Sequence, residues 1–390
     1  MNSRREAALP RAIAENQTAR EFRSSTPVAQ AKELVINSRS IIPGVATIVA
    51  MGAFATCLQA ADLPAIRVLA TGGTIAGAQA SATDYGYKSG VYDVNSLISA
   101  VPNLGKLAVI TGEQVANIGS QDMNDEAWLK LAKRVNAVLA EPGTDGVLIT
   151  HGTDTLEETS YFLSLVTKSD KPVVMVGSMR PATAISADGP GNIYNGIAVV
   201  ADPRATGKGT LVCLNDVFHY ARNVMKTDTT SVQTFQSLNR GPAGVVHTGK
   251  VEWFEPMNKK LGKASEFSVD GLDKLPRVDV IYAHANMSAD LIDAAIKNGA
   301  KGLVIAGVGD GNMTTPALDV LTKAAKNGIV VVRSTRLASG LVLRNNEVND
   351  DEKGFVASGE LNPAKSRVLL QLALTRTNDP VRIQKMFYEY

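Results

Sequence analysis

The stretch Arg67-Val-Leu-Ala-Thr-Gly-Gly-Thr-Ile-Ala-Gly77 decides the reading of the fold. Ile66 to Ala70 is an apolar run of the length of a buried strand. It stops at Thr71-Gly72-Gly73-Thr74, where two glycines permit backbone angles that other residues resist. The chain therefore leaves a strand through a turn whose amides can approach a ligand, with a hydroxyl at each side. Gly146-Val-Leu-Ile-Thr150, followed by His151-Gly152-Thr153-Asp154-Thr155, repeats the design. Two strand ends, each presenting a threonine, read as one site.

Outward from these stretches the chain alternates strand and helix. Lys106 to Thr111 reads as a strand and Asp125 to Ala140 as an amphipathic helix, with Trp128, Leu131, Ala132, Val135, Val138 and Leu139 on one face. A helix follows strand 146–150, opened by Thr155-Leu-Glu-Glu158 in the pattern of a capping box. Pro172 to Gly177 and Thr210 to Asn215 are further buried strands. Polar sequence from Glu255 to Lys274 separates this series from a second one. Val278 to His284, Gly302 to Ala306 and Ile329 to Arg333 read as its strands. Ala289 to Lys297 and segments opened by Thr315-Pro316, Asn362-Pro363 and Asp379-Pro380 read as its helices. The pattern predicts two α/β domains: a larger N-terminal one with a mainly parallel sheet at 62–255, a linker at 256–275, and a smaller parallel-sheet domain at 276–390. Parallel sheets bind ligands at the carboxyl ends of their strands, where both threonine loops lie.

Composition narrows the function. A chain of 390 residues, 45% hydrophobic and 20% charged, has the make-up of a globular protein. A net charge of +2, with nine Phe, nine Tyr and two Trp, gives no footprint for nucleic acid. His151, His219, His247 and His284 lack metal-ligand spacing and read mostly as structural. Cys213 reads as a buried free thiol. No charge occurs from Ser40 to Ala61, and Ile41 to Ala55 is mostly apolar. That run is too short to span a bilayer but resembles the apolar region of a secretory signal, so residues 1–61 are expected to be a leader removed on export.

The candidate chemistry is acyl transfer. Threonine hydroxyls are poor nucleophiles until a base takes the proton. Tyr85, Tyr87 and Lys88, in the loop Ser81 to Gly90, are candidates beside Thr74. Asp154, and Lys226 from Asn223 to Thr230, are candidates beside Thr153. The amides of Gly73 and Thr74 are candidates for holding an oxyanion. Blander readings stand beside these: Gly-Gly-Thr as a tight turn, Thr153-Asp154 as a helix start, Lys226 as a surface lysine. Gly307-Val-Gly-Asp-Gly311 lacks the spacing of a dinucleotide loop, and Gly207-Lys-Gly-Thr210 that of a phosphate loop.

Ala70-Thr-Gly-Gly-Thr-Ile-Ala-Gly77 and Ile149-Thr-His-Gly-Thr-Asp-Thr155 closely resemble the two signatures of the bacterial L-asparaginases. Gly112-Glu-Gln-Val-Ala-Asn-Ile-Gly-Ser-Gln-Asp-Met123 is similar to the exported, type II branch, which includes glutaminase-asparaginases. The resemblance continues through Lys171–Pro181 and Gly354–Gly359 and covers Leu63 to Tyr390. It implies Thr74 as nucleophile with Tyr87 in a lid beside it, and Thr153, Asp154 and Lys226 as a second triad. Ser120 and Gln121 would hold the substrate's α-carboxylate and Asp154 its α-ammonium group. Asn312 and Glu347 would come from a neighbouring subunit in a homotetramer, a dimer of intimate dimers. No metal or other cofactor is expected, nor any membrane attachment after processing. The implied reaction is hydrolysis of L-asparagine, with L-glutamine as a secondary substrate. A dual glutaminase-asparaginase is one alternative; a non-catalytic periplasmic amino-acid-binding protein is another. Some exported relatives carry a disulfide near what are here Glu141 and Ser169. This chain has cysteine at neither, so the signal-like segment alone carries the expectation of a periplasmic location.

Overall fold

The computed structural model describes residues 63–390 apart from Tyr85 and Glu255; the expected leader at 1–61 and the candidate Tyr85 lie outside the described residues. The first half runs β1 (Ala65–Gly72), α1 (Val94–Ser99), β2 (Val109–Ile118), α2 (Asp125–Ala140), β3 (Gly146–Thr150), α3 (Leu156–Val166), β4 (Val173–Val176), α4 (Gly189–Ala201) and β5 (Thr210–Leu214). Five short strands follow: β6 (Val217–Tyr220), β7 (Met225–Lys226), β8 (Phe235–Gln236), β9 (Gly244–His247) and β10 (Lys250–Trp253). Eight strands form one sheet in the order β10-β9-β6-β5-β4-β3-β1-β2, while β7 and β8 pair separately. The pairs from β2 to β5 are all parallel, and β6, β9 and β10 continue the sheet antiparallel.

Side chains on β1 alternate as a strand covered on both faces requires. Ile66, Val68 and Ala70 pack with Ile193 and Ile197 of α4. Leu69 packs on the opposite face, in a cluster with Trp128, Val135 and Phe162 of α2 and α3. That second cluster crosses between the domains. It takes in Val304 and Val332 of the second sheet and Val368, Leu369 and Leu372 beneath it.

The second domain runs β11 (Val278–Tyr282), α5 (Asp290–Lys297), β12 (Gly302–Gly307), α6 (Thr315–Lys326), β13 (Val330–Thr335), α7 (Asp350–Lys353), β14 (Phe355–Ala357), α8 (Pro363–Ala373) and α9 (Pro380–Glu389). Its four strands are all parallel, in sequence order. Asn362 and Asp379 cap α8 and α9, accepting from the amides of Lys365 and Val381, with proline at the first helical position in each. Thus the two-domain α/β reading holds, with the larger, mainly parallel sheet first.

Two local expectations fail. The strand expected at Lys106 to Thr111 begins only at Val109 and runs on to Ile118, and Leu104–Lys106 is a single 3-10 turn. β2 is an edge strand with mostly exposed or half-buried residues, so the apolar run Leu107–Ile110 marks only its start. The capping box also does not form. Thr155 precedes α3, but its hydroxyl donates to the Ser120 carbonyl oxygen at 2.7 Å and makes no cap bond.

Candidate active site

The parallel strands run in the order β2-β1-β3-β4-β5, so the chain leaves β1 toward one edge and β3 toward the other. At such a switch point the two exit loops diverge and open a crevice at the carboxyl ends. Thr74 follows β1, Thr153 follows β3, and Ser120 follows β2, so the topology alone gathers all three.

Glycines set how closely the loops approach. Gly73 has φ 87° and ψ −176°, a conformation restricted to glycine. A Cβ there would lie 2.3 Å from the amide nitrogen of Gly152. A Cβ on Gly152 would in turn lie 2.6 Å from the Ser120 hydroxyl oxygen. The loops after β1, β2 and β3 therefore touch through backbone and one small side chain. The Gly73 amide donates to the Ile118 carbonyl oxygen at 3.1 Å. That bond already occupies the proton the Gly73 amide would offer an oxyanion. The Thr71 hydroxyl donates to the Thr150 carbonyl oxygen at 2.9 Å and clamps β1 to β3.

Thr74 is buried at 9% exposure, and its Oγ1 lies 2.7 Å from the Tyr87 Oη in a hydrogen bond that either hydroxyl can donate. Tyr87 is held by a short antiparallel bridge in which Ala78 and Lys88 exchange amide hydrogen bonds, both 2.9 Å. Gly77 leaves room for its ring: a Cβ there would come 2.9 Å from Tyr87 Cδ2. The base of the loop is fixed by Thr183, whose hydroxyl accepts from the Gln79 amide at 2.8 Å.

On the β3 side, Lys226 Nζ donates to Thr153 Oγ1 at 3.0 Å and to Asp154 Oδ1 at 2.7 Å. Lys226 is therefore no free surface lysine; its side chain is 17% exposed, against 59% for Asp154. An ion pair this open contributes little to stability, so its effect is to orient the ammonium group. Helix α3 begins at Leu156, which leaves Thr153 and Asp154 in the preceding turn rather than at a helix start. The Ser120 hydroxyl accepts from the Asp154 amide at 3.1 Å and keeps its own proton to donate. Gln121 is exposed, folds over Gly119 and donates to Asp122 at 3.2 Å.

A layer behind Lys226 escaped the sequence reading. Glu157 Oε2 accepts from the Lys226 amide at 2.9 Å, while its Oε1 accepts from the Asn362 side chain at 3.0 Å. The buried Lys365 donates Nζ to the Val224 carbonyl oxygen. Burial pushes the ammonium of Lys365 below the usual lysine range. The segment bearing Lys226 is thus held at its backbone by Glu157 of α3 and Lys365 of α8, with Asn362 bracing the Glu157 carboxylate. No local spacing signals a bond between positions so far apart in the chain.

Asn312 and Glu347 lie in the second domain and bond each other, Nδ2 to Oε2, at 2.6 Å. Among the described residues neither bonds to a threonine loop. The loops bearing them are pinned by Arg333, whose guanidinium is bidentate to Asp350 at 2.7 Å with both side chains at 0% exposure. The same guanidinium donates to the carbonyl oxygens of Asp310 and Leu343 at 2.8 and 3.0 Å.

His151 is structural, as expected: buried, with Nδ1 2.7 Å from the Gly152 carbonyl oxygen. Burial lowers its pKa to about 4, so it is neutral at ordinary pH. Cys213 is a buried free thiol, and burial raises its pKa. Among the described residues no group of three or more His, Cys, Asp or Glu gathers as a metal site would require.

Residues 65–259 match the family model "Asparaginase, N-terminal", and residues 277–387 match "Glutaminase/Asparaginase C-terminal domain". The chain belongs to the asparaginase family. It is 52% identical over 332 residues to the probable periplasmic L-asparaginase of Haemophilus influenzae, covering 85% of this chain and 95% of that one. It is 44% identical over 329 residues to the glutaminase-asparaginase of Acinetobacter glutaminasificans, covering 83% of this chain and 99% of that one. A crystal structure of a probable cytoplasmic L-asparaginase from Campylobacter jejuni superposes with TM-score 0.81 at 46% identity, covering 84% of this chain and all of that one. As a member of the asparaginase family the chain is an amidohydrolase, and its site is read below on those terms.

Proposed function

We propose that this chain hydrolyses L-asparagine to L-aspartate and ammonia through an acyl-enzyme on Thr74. The observation that carries this reading is the hydrogen bond of 2.7 Å between Thr74 Oγ1 and Tyr87 Oη, in a crevice shared with Thr153 and Lys226. Thr74 Oγ1 attacks the side-chain amide carbon as its proton passes to Tyr87 Oη, and the Tyr87 hydroxyl hands its own proton on to the departing amide nitrogen. The oxyanion that develops is met by the Thr74 amide. Ammonia leaves with a proton, and a water attacks the resulting ester, restoring the threonine and releasing the carboxylate. Thr153, Lys226 and Asp154 serve as the second triad, Lys226 fixing the hydroxyl of Thr153 on the opposite wall.

Substrate orientation follows from the chemistry of the lining groups. Ser120 and Gln121 offer a hydroxyl and an amide for the α-carboxylate, and the exposed carboxylate of Asp154 suits the α-ammonium group. Asn312 and Glu347, which bond each other and, among the described residues, neither threonine loop, are assigned to the site of a neighbouring copy. The working form is then a homotetramer built of intimate dimers. Residues 1–61 act as an export signal, which makes the mature enzyme periplasmic. Where some exported relatives carry a disulfide, Lys171 Nζ donates here to the carbonyl oxygens of Leu139 and Glu141 at 2.8 and 3.1 Å and ties the same segments.

Activity on L-glutamine is the second reading, favoured by the relative named a glutaminase-asparaginase. One methylene separates the two substrates, a difference worth only ~1–3 kcal/mol in a pocket. Ammonia release from asparagine and glutamine, followed side by side on purified protein, tests both readings. Faster release from asparagine is expected, with slower release from glutamine. Thermal stabilisation by asparagine with no ammonia from either amide would replace the enzyme with a binding protein.

A further inference from the structure

A cavity of about 320 Å³ lies apart from the threonine loops, with Arg222, Asn223, Arg240, Asn258, Lys259 and Glu360 among the residues on its wall. It has room for roughly ten waters, at about 30 Å³ each. Its charge is lopsided. Three cations face one side-chain carboxylate, Glu360, which already bridges Arg222 at 2.7 Å and Arg240 at 2.5 Å. Arg222 is 5% exposed and also donates Nε to the main-chain oxygen of Tyr390 at 2.7 Å. Even a carboxylate at Tyr390 would leave the wall with surplus positive charge.

Donors remain after these pairings. Among the described residues, Arg222 Nη2 and Arg240 Nη1 have no acceptor, although both residues line the void. The Arg240 side chain is 61% exposed, and neither nitrogen is shut away from solvent, so both stay open to an anion entering the cavity. The surplus is felt within the wall: burial and the facing guanidinium groups of Arg222 and Arg240 hold the Lys259 ammonium below the usual lysine range. Burial alone would raise Glu360, but Arg240 and Arg222 outweigh it and keep the carboxylate below its ordinary value, and therefore ionised. Among the described residues no acidic side chain other than Glu360 lines the cavity.

We propose that this cavity is a binding site for a small multivalent anion, a phosphate-type oxyanion or a short dicarboxylate. Arg222 and Arg240 present their planar N–H edges to two of its oxygens, and Lys259 meets the remaining charge as a point cation. Asparagine and glutamine carry one carboxylate and no net charge, so this site selects a more anionic ligand than the substrate of the reaction site.

The test is calorimetric and thermal titration of the full chain with inorganic phosphate and, separately, with succinate, at constant ionic strength in chloride. Saturable binding of at least one anion is expected at millimolar concentration or below, with a rise in Tm that follows the same saturation. Phosphate alone would identify the oxyanion and succinate alone the dicarboxylate; both would mark the shared chemistry. The double variant Arg240→Gln/Lys259→Gln, which leaves the buried Arg222 in place, should weaken binding tenfold or more. Asn258→Asp, which adds a negative charge to the wall, should weaken it independently. Lys263→Gln, an exposed cation outside the cavity, should change nothing. A response to both anions that never saturates would overturn the proposal, as would unchanged binding in the double variant and in Asn258→Asp.

Discussion

Gly73→Ala is the perturbation whose outcome the geometry fixes most tightly. The new methyl would sit 2.3 Å from the Gly152 amide nitrogen and 2.4 Å from its Cα, where ordinary contact begins at 3.4 Å. Both obstacles are backbone, so no rotamer change relieves them. The φ of 87° with ψ near 180° adds ~1–3 kcal/mol of strain for any residue with a Cβ. To clear the clash, the Thr74 and Thr153 loops must separate by roughly 1 Å, a misplacement of the order that costs ~100-fold in rate. The expected result is a kcat/KM for ammonia release reduced about 100-fold. The expected stability loss of ~1–3 kcal/mol lowers Tm by several degrees. Gly105→Ala, at a position where a Cβ meets nothing within 4 Å, is the matched control and should leave both quantities unchanged. A Gly73→Ala enzyme with wild-type kcat/KM would refute the claim that backbone contact of the two loops sets the site.

Three further outcomes follow from particular contacts. Glu157→Ala removes the acceptors of both the Lys226 amide and the Asn362 side chain, so kcat should fall more than KM changes, and Glu157→Gln, keeping one acceptor, should recover part of the loss; equal kcat in all three proteins would contradict the positioning role. His151 and His219 are both held neutral in the fold by burial, with pKa lowered from 6.5 to about 4. The unfolded chain therefore binds protons between pH 6.5 and 4 that the folded chain does not. Stability present above pH 6.5 is lost as pH falls through that window, by up to about 3 kcal/mol per histidine. Denaturant titrations across the window should show the decline, and His219→Gln should flatten it. Asp350→Ala leaves Arg333 buried without its carboxylate, at a cost of ~3–5 kcal/mol by thermal or denaturant unfolding; a change under ~1 kcal/mol would mean water reaches the guanidinium.

Much of this fold can be read before any coordinate is seen. β1, β3, β4, β5, β12 and β13 are largely apolar runs, broken in β1 by Arg67 and in β13 after Val332, because each is covered on both faces, and the bounds of α2 follow from its apolar stripe. The threonine loops are equally legible, since glycine must stand where two backbones touch. What escapes is exposed or distant. β2 is half-wetted at the sheet edge and has no apolar run past Ile110. β6, β9 and β10 form hairpins whose two-residue turns, Asn215-Asp216 and Thr248-Gly249, carry positive φ values of 52°, 62°, 51° and 80°. Their turn signal was present but lay outside the strand-helix alternation. Thr155-Leu-Glu-Glu158 shows the opposite failure: a strong local pattern overridden because the Ser120 carbonyl takes the Thr155 hydroxyl, while the Glu158 carboxylate lies 4.0 Å from Arg367. Glu157, Asn362 and Lys365 converge on Lys226 only through the shared core of the two domains, and no spacing rule reaches that far.

Single-turnover ammonia release from asparagine by Thr74→Val and Thr153→Val enzymes tests the central claim most directly. Valine keeps the shape of threonine and removes only the hydroxyl that bonds Tyr87. The account predicts no first-turnover ammonia from Thr74→Val, while asparagine still stabilises that protein against heat. An enzyme lacking the Thr74 hydroxyl that releases its first ammonia at the wild-type rate would contradict it.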